Sequence, residues 1–246
     1  MKQADLWLPL SPRGTTTAGR LVIFPHAGCG AGQWFRWSEA TPPWIEVRVA
    51  RLPGRESRLS EPVLTSPDAA ITALAQALAA LPPMPTVLFG HSLGAQLVYA
   101  ICRRLPGIAN GLIVSGSSAP GRRVRECLSA LPDHELAEVA HRRWQAIPDE
   151  IRCSDELRAL FLPALRGDLK LAENWPDDDH PPLALPLVVV AGKADTDILQ
   201  IDIDGWCAQT TGPTSRIEHR GGHMQILEDP ALRRRVIGTC VELLLA

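Results

Sequence analysis

FGHSLGAQL, residues 89–97, sets a serine between two glycines at the point where an apolar run ends and a helical one begins. PTVL (85–88) leads into it and VYAICRRL (98–105) follows. Gly90-His91-Ser92-Leu93-Gly94 fits the pattern G-x-S-x-G, and its strand–turn–helix setting is the one a nucleophile elbow requires. Such a turn strains the serine backbone, and flanking glycines remove the Cβ atoms that would clash there. The competing reading is a glycine-rich βα turn in which Ser92 is incidental. The remainder of the chain has to choose between them, because a serine hydroxyl is a poor nucleophile until a base takes its proton.

Working outward, short apolar runs alternate with longer amphipathic ones. Strands are predicted at RLVIF (20–24), EVRVA (46–50), TVLFG (86–90), GLIVSG (111–116), LPLVVVA (185–191) and SRIEH (215–219). Their near-continuous, β-branched character is that of strands buried on both faces of a parallel sheet. Helical patterns lie at 68–81, opening on Asp68 after Ser66-Pro67, at 93–105, closing on two arginines before Pro106-Gly107, and at 229–245. This alternation predicts a doubly wound α/β sheet formed by a single domain, residues 1–246. One stretch breaks the rhythm. About 68 residues separate the strands at 111–116 and 185–191, and they hold helical patterns at 131–147 and 154–175. That is too long for a connection, so a helical lid over the carboxyl edge of the sheet is expected at about 119–180. WPDDDHPP (175–182) reads as the hinge leading back.

The base and its orienting acid are expected after late strands, in the chain order Ser, acid, His. VVVAGKADTD places Asp195 three residues beyond Gly192, and RGGHMQI places His223 behind two glycines. Asp197 is the alternative acid; Asp202 and Asp204 look like the start of the next helix. His219 lies within a strand, and His134 and His141 fall on the lid, where a solvated face is expected. Acyl transfer also needs donors for a developing oxyanion. FPHAGCGAGQWF (24–35) follows the first strong strand, and the backbone N–H groups of Ala27 and Leu93 are the expected pair. A phosphate cradle is the competing use of this loop, but it lacks G-x-G-x-x-G spacing and the Walker lysine.

Composition narrows the classes. The chain has 246 residues, 46% apolar and 21% charged, with a formal net charge of -2. That charge gives no general reason to expect nucleic acid or an anionic membrane as partner. No window approaches the roughly 20 apolar residues of a membrane span. MKQADLWLPLSP lacks the apolar core of a signal peptide, which predicts a cytoplasmic protein. Six cysteines lie far apart without a CxxC pair, so reduced and mostly buried thiols are expected rather than disulfides or a metal site.

Together these segments carry a more specific resemblance. FPHAGCGAGQWFRW (24–37), ARLPGRESRLSEP (50–62) and GHSLGAQLVY (90–99) resemble the stand-alone type II thioesterases of nonribosomal peptide and polyketide synthases. LPDHELAEV (131–139) with ELRALFLPALRGDLKLAENW (156–175) resembles their lid, and GGHMQIL (221–227) their histidine segment. The similarity is collinear from about residue 20 to 230. It implies the α/β-hydrolase fold, a mostly parallel doubly wound sheet with the lid inserted before the strand that carries the triad acid. It implies hydrolysis of acyl thioesters on the phosphopantetheine arm of an acyl or peptidyl carrier domain, chiefly to clear aberrant acyl groups, with no metal and no cofactor of the enzyme's own. Ser92, Asp195 and His223 inherit the catalytic roles, and Ala27 and Leu93 the oxyanion amides. His26, Phe161 and Leu165 are the candidate substrate contacts, and a monomer is expected. The departures are Thr196 where the family often has proline, RRWQ (142–145) where a glycine pair is common, and Gln225 where an aromatic or apolar residue is usual.

Other features have plainer readings. Arg55 and Glu56 of the PGRE segment are expected to brace a neighbouring loop. Arg122, Arg123 and Arg125 fit a solvated face or contact with an acidic carrier domain. Leu157, Leu160, Phe161, Leu165 and Leu169 recur near helical spacing and are expected to pack inward, some lining an acyl channel. Two rival functions stand beside the thioesterase: a carboxylesterase or lipase acting on free esters, and a catalytically dead relative that binds a synthase or ligand. The same triad serves the first, so fold cannot separate them.

Overall fold

Each of the six apolar runs forms a strand, and all five pairings between them are parallel. The computed structural model describes residues 3–11, 17–121, 126–145, 147–176, 180–198 and 200–246. The strands are β1 (Gly19–Phe24), β2 (Ile45–Val49), β3 (Thr86–His91), β4 (Gly111–Ser115), β5 (Leu187–Gly192) and β6 (Thr214–His219), in the order β2-β1-β3-β4-β5-β6. Period-two alternation supplies a core on each face. Val22, Phe24, Leu88, Leu112 and Val189 pack with the helices Pro67–Ala79 and Leu93–Arg104 on one side. Leu21, Ile23, Val87, Phe89 and Val188 pack with Trp34, Trp37 and the helix Pro230–Leu245 on the other.

The strand order reverses between β1 and β3, where Phe24 is registered against Gly90. In a parallel sheet the crevice beyond the carboxyl ends at such a point is where ligands bind, because the two following loops diverge to opposite faces. Those two loops are the ones that hold Ala27 and Ser92. At one edge, Val49 donates its N–H to Pro9 and Ser11 donates to Val47, so the N-terminal segment covers the open side of β2.

β6 departs from the expectation of a strand buried on both faces. Only Ile217 in it is buried. It is the other edge of the sheet, and its polar residues at 215, 216 and 218 face solvent. The thiols depart as well. Cys29, Cys102 and Cys240 are buried, whereas Cys127, Cys153 and Cys207 are exposed, all six being free.

The insertion folds into helices Asp133–Trp144, Asp149–Arg152 and Asp155–Glu173, the second of which the sequence pattern did not announce. Leu136, Ala137, Ala140, Ile147, Leu162, Leu165 and Leu169 give it a small core of its own. Residues 177–179 of the hinge and the arginines Arg122, Arg123 and Arg125 lie outside the described residues. Among the described residues no helix is long and apolar enough to cross a membrane.

Candidate active site

β3 ends at His91 and a helix starts at Leu93, leaving Ser92 alone at the turn with φ 55° and ψ −119°. An L-residue at positive φ costs on the order of 1–3 kcal/mol. Its N–H donates to the Ser115 carbonyl at the end of β4 (2.8 Å), which ties the turn to the sheet. A Cβ on Gly90 would stand 2.3 Å from the Gly94 carbonyl oxygen, and one on Gly94 would stand 1.9 Å from that of Phe24. Both glycines are therefore required by close backbone approach.

The loops after β5 and β6 are zipped together: Lys193 N–H donates to the His219 carbonyl (2.9 Å) and Ala194 N–H to that of Gly221 (3.2 Å). This register brings His223 Nδ1 to 2.8 Å from Asp195 Oδ2, with both side chains largely buried. The carboxylate accepts, so the proton sits on Nδ1 and Nε2 is left free to act as base. Asp197 goes elsewhere. Its carboxylate accepts from Arg143 (Nε, 2.9 Å) and from the Trp144 indole of the lid, while its backbone N–H donates to Asp195 Oδ1 (3.2 Å). Asp202 and Asp204 lie in the helix Gln200–Asp204. His219 is on β6, and burial lowers its pKa. His134 is exposed, and His141 donates from Nδ1 to the Ile147 carbonyl within the lid.

Ser92, His223, His26, Ala27 and Leu93 line one cavity of about 420 Å³. Leu128, Trp144 and Leu169 give it apolar walls, and Gln96, Ser117 and Asp202 polar ones. Of the three candidate substrate contacts, only His26 is among its walls. Phe161 is 46% exposed, and Leu165 is buried in the lid core against Gly28. A second cavity of about 180 Å³ shares Trp144 and His223 as walls and is bounded also by Asp195, Gln225 and Glu228. Gln225 thus borders the smaller space and not the one containing Ser92. Gln145, the last residue of RRWQ, closes the helix Asp133–Trp144 at φ 53°, a left-handed cap where glycine is easier.

The PGRE segment braces the loop after β1, as expected. Arg55 makes a two-pronged bond to Asp168 (2.6 and 2.7 Å) and donates to the Cys29 carbonyl (3.0 Å), and Glu56 accepts from Gly32 N–H (2.8 Å). Asp168 escaped the sequence reading. The signal was present, since it is an acid on the inward stripe of a helix between Leu165 and Leu169.

Two further histidines back the site. The buried rings of His26 and His91 are 5.8 Å apart, and His91 lies 4.9 Å from the His223 ring. Burial, and after it the charge His223 would carry, pushes His26 down to about 3 and His91 well below the ordinary range. Both are neutral when folded, whereas the unfolded chain takes up protons near pH 6.5. Stability is thus full above that pH and falls as pH drops below about 6.5, by up to about 1.4 kcal/mol per pH unit for each histidine, the His26 share being complete near 3. Urea unfolding between pH 7 and 4 should show this slope, reduced in His91→Gln by one proton's share. An unchanged slope in that variant would place the acid sensitivity elsewhere.

Among the described residues no group of three or more His, Cys, Asp or Glu side chains is placed to hold a metal. The family model described as "Thioesterase domain" matches residues 19–243. Thioesterase PikA5 of Streptomyces venezuelae is 34% identical over 233 residues, covering 91% of this chain and 81% of that protein. The AMB antimetabolite synthetase AmbE of Pseudomonas aeruginosa is 34% identical over 206 residues, which is 82% of this chain but 10% of that much longer protein. The solved structure of the type II thioesterase BorB, from the borrelidin biosynthetic cluster, superposes with a TM-score of 0.88 at 30% identity, covering 98% of each chain.

Proposed function

This chain belongs to the thioesterase domain family, and from that premise we propose that it hydrolyses acyl thioesters held on the phosphopantetheine arm of a synthase carrier domain. It would do so in the cytoplasm, as a monomer, clearing aberrant acyl groups from a nonribosomal peptide or polyketide synthase. The fold is that of the α/β hydrolases, matching the type II thioesterase structures.

In this reading His223 Nε2 takes the proton of Ser92 Oγ as the oxygen attacks the thioester carbonyl. Asp195 keeps the imidazole in the required tautomer and stabilises its cation. The Ala27 and Leu93 amides receive the oxyanion, the latter at the start of a helix whose first N–H groups have no partner within it. Collapse expels the pantetheine thiol, which needs less protonation than an alkoxide would. Water, deprotonated by the same histidine, then releases the acid from the acyl-serine. These side chains suffice for both half-reactions without a cofactor. Leu128, Trp144 and Leu169 would receive the acyl chain.

The observation that carries the proposal is the 2.8 Å contact of His223 with Asp195, set in a cavity wall shared with Ser92, Ala27 and Leu93. Its test is the mass of an acetyl- or aminoacyl-loaded carrier protein incubated with the enzyme. Loss of the acyl mass is expected. An unchanged carrier alongside rapid cleavage of p-nitrophenyl butyrate would overturn the reading in favour of a free-ester hydrolase.

A further inference from the structure

We propose that Asp168, on the lid helix Asp155–Glu173, is a positioning residue for the oxyanion-binding loop. This rests on the reading of Ser92, Ala27 and Leu93 given above. Residues 26–29 have the two marks of a type II turn: Cys29 N–H donates to the His26 carbonyl (3.2 Å), and Gly28 has φ +77°. Ala27 and Gly28 are its central pair. A type II turn differs from a type I turn by a half-rotation of the central peptide, so whatever holds that peptide chooses the turn. Asp168 holds it, because Gly28 N–H donates to Asp168 Oδ2 at 2.7 Å. The neighbouring peptide is held too. The His26 carbonyl faces Cys29, and in a planar trans peptide the Ala27 N–H then points the opposite way.

The carboxylate is itself built in. Asp168 is 2% exposed and Arg55 6%, and a buried charge is tolerated only when paired and hydrogen-bonded. Arg55 Nη1 and Nη2 take one carboxylate oxygen each, and Nη1 also reaches the Cys29 carbonyl. Asp168 therefore holds the N–H end of the Gly28-Cys29 pair directly and the carbonyl end through Arg55. The lid helix also packs tightly there, since a Cβ on Gly28 would stand 3.1 Å from Leu165 Cβ. Asp168 is not among the walls of the cavity that holds Ser92. It acts through the turn, and the turn matters most when negative charge develops on the carbonyl oxygen.

A positioning role of this kind lowers kcat and spares KM, because the oxyanion exists only beyond the ground state. Two variants test it. Asp168→Asn keeps the shape and removes the charge. Arg55→Met/Asp168→Leu replaces the whole pair by apolar side chains of similar size, an exchange that buried ion pairs commonly tolerate. Steady-state kinetics on the loaded carrier and on p-nitrophenyl butyrate, per folded protein as judged by thermal melts, should show kcat falling about 10- to 100-fold with KM within about threefold in both variants. A lowered melting temperature with kcat within twofold of wild type would assign Asp168 to stability alone and overturn the proposal. A wild type that cleaves the ester but leaves the carrier loaded would overturn the carrier reading instead. The ester kcat of the two variants would then decide the role of Asp168 separately.

Discussion

Ser92→Ala is expected to reduce acyl release from a loaded carrier by at least about 10⁴-fold, leaving the fold intact. The substitution removes one oxygen from a half-buried residue, and the φ of 55° is strained for serine and alanine alike. The Ser92 N–H bond to Ser115 is made by the backbone and is kept in the variant. What remains is the oxyanion pair and the binding cavity, which in serine hydrolases of this type leave roughly 10³- to 10⁴-fold acceleration over water. Intact-mass measurement of the carrier after incubation with wild type or variant reads the loss directly. A fluorophosphonate that adds one label to wild type and none to the variant would identify the oxygen attacked. Release by the variant within 100-fold of wild type would remove Ser92 from the mechanism, and with it the reason for the elbow.

The elbow was legible because everything that makes it is local. A buried strand, two glycines and an amphipathic helix follow one another within about twenty residues, and no distant contact is needed to see why the serine projects. His223 was legible for a similar reason, standing behind two glycines after a strand. The choice between Asp195 and Asp197 was not. They are two residues apart in a loop that follows no period, and what separates them is the pairing of that loop with residues 219–221, together with a lid arginine and tryptophan that claim Asp197.

Phe161 shows a different limit. It shares a helical spacing with Leu165 and Asp168, yet it is exposed, as is Leu160, where inward packing is the expectation. None of residues 155–161 is buried, whereas most of 162–171 are. The first turns of the helix extend past the body, and periodicity reports which way a residue faces without reporting where along the axis the partner surface begins. Asp168 shows the converse. A charge on an apolar stripe looks like a flaw in the pattern until Arg55, 113 residues earlier, is seen to meet it. Polar residues that contradict a local rule are where long-range structure is to be sought.

The second large effect expected is on Asp195→Asn, which should lower kcat by about 10⁴-fold at neutral pH with little change in KM. The reason is the direction of one hydrogen bond. A carboxylate at 2.8 Å can only accept, so it fixes the imidazole proton on Nδ1 and leaves Nε2 with its lone pair. An asparagine can present its amide N–H instead, which favours the tautomer with the proton on Nε2, where it blocks the base. It also withdraws the negative charge that stabilises the imidazolium formed as Ser92 attacks. The asparagine fits the same space, and the loop keeps its bonds to 219 and 221, so the protein should melt at a similar temperature. Asp197→Asn supplies the contrast. Its carboxylate serves Arg143 and Trp144 of the lid, and its N–H, the group nearest the triad, is unaltered by the substitution. Its kcat should fall by less than about tenfold, with the larger share of any change in KM, since the lid walls bound the acyl cavity. Equal losses in the two variants, or the larger loss in Asp197→Asn, would transfer the role of triad acid to Asp197. That would require the loop to rearrange when substrate binds, breaking the lid contacts that hold Asp197 away from His223.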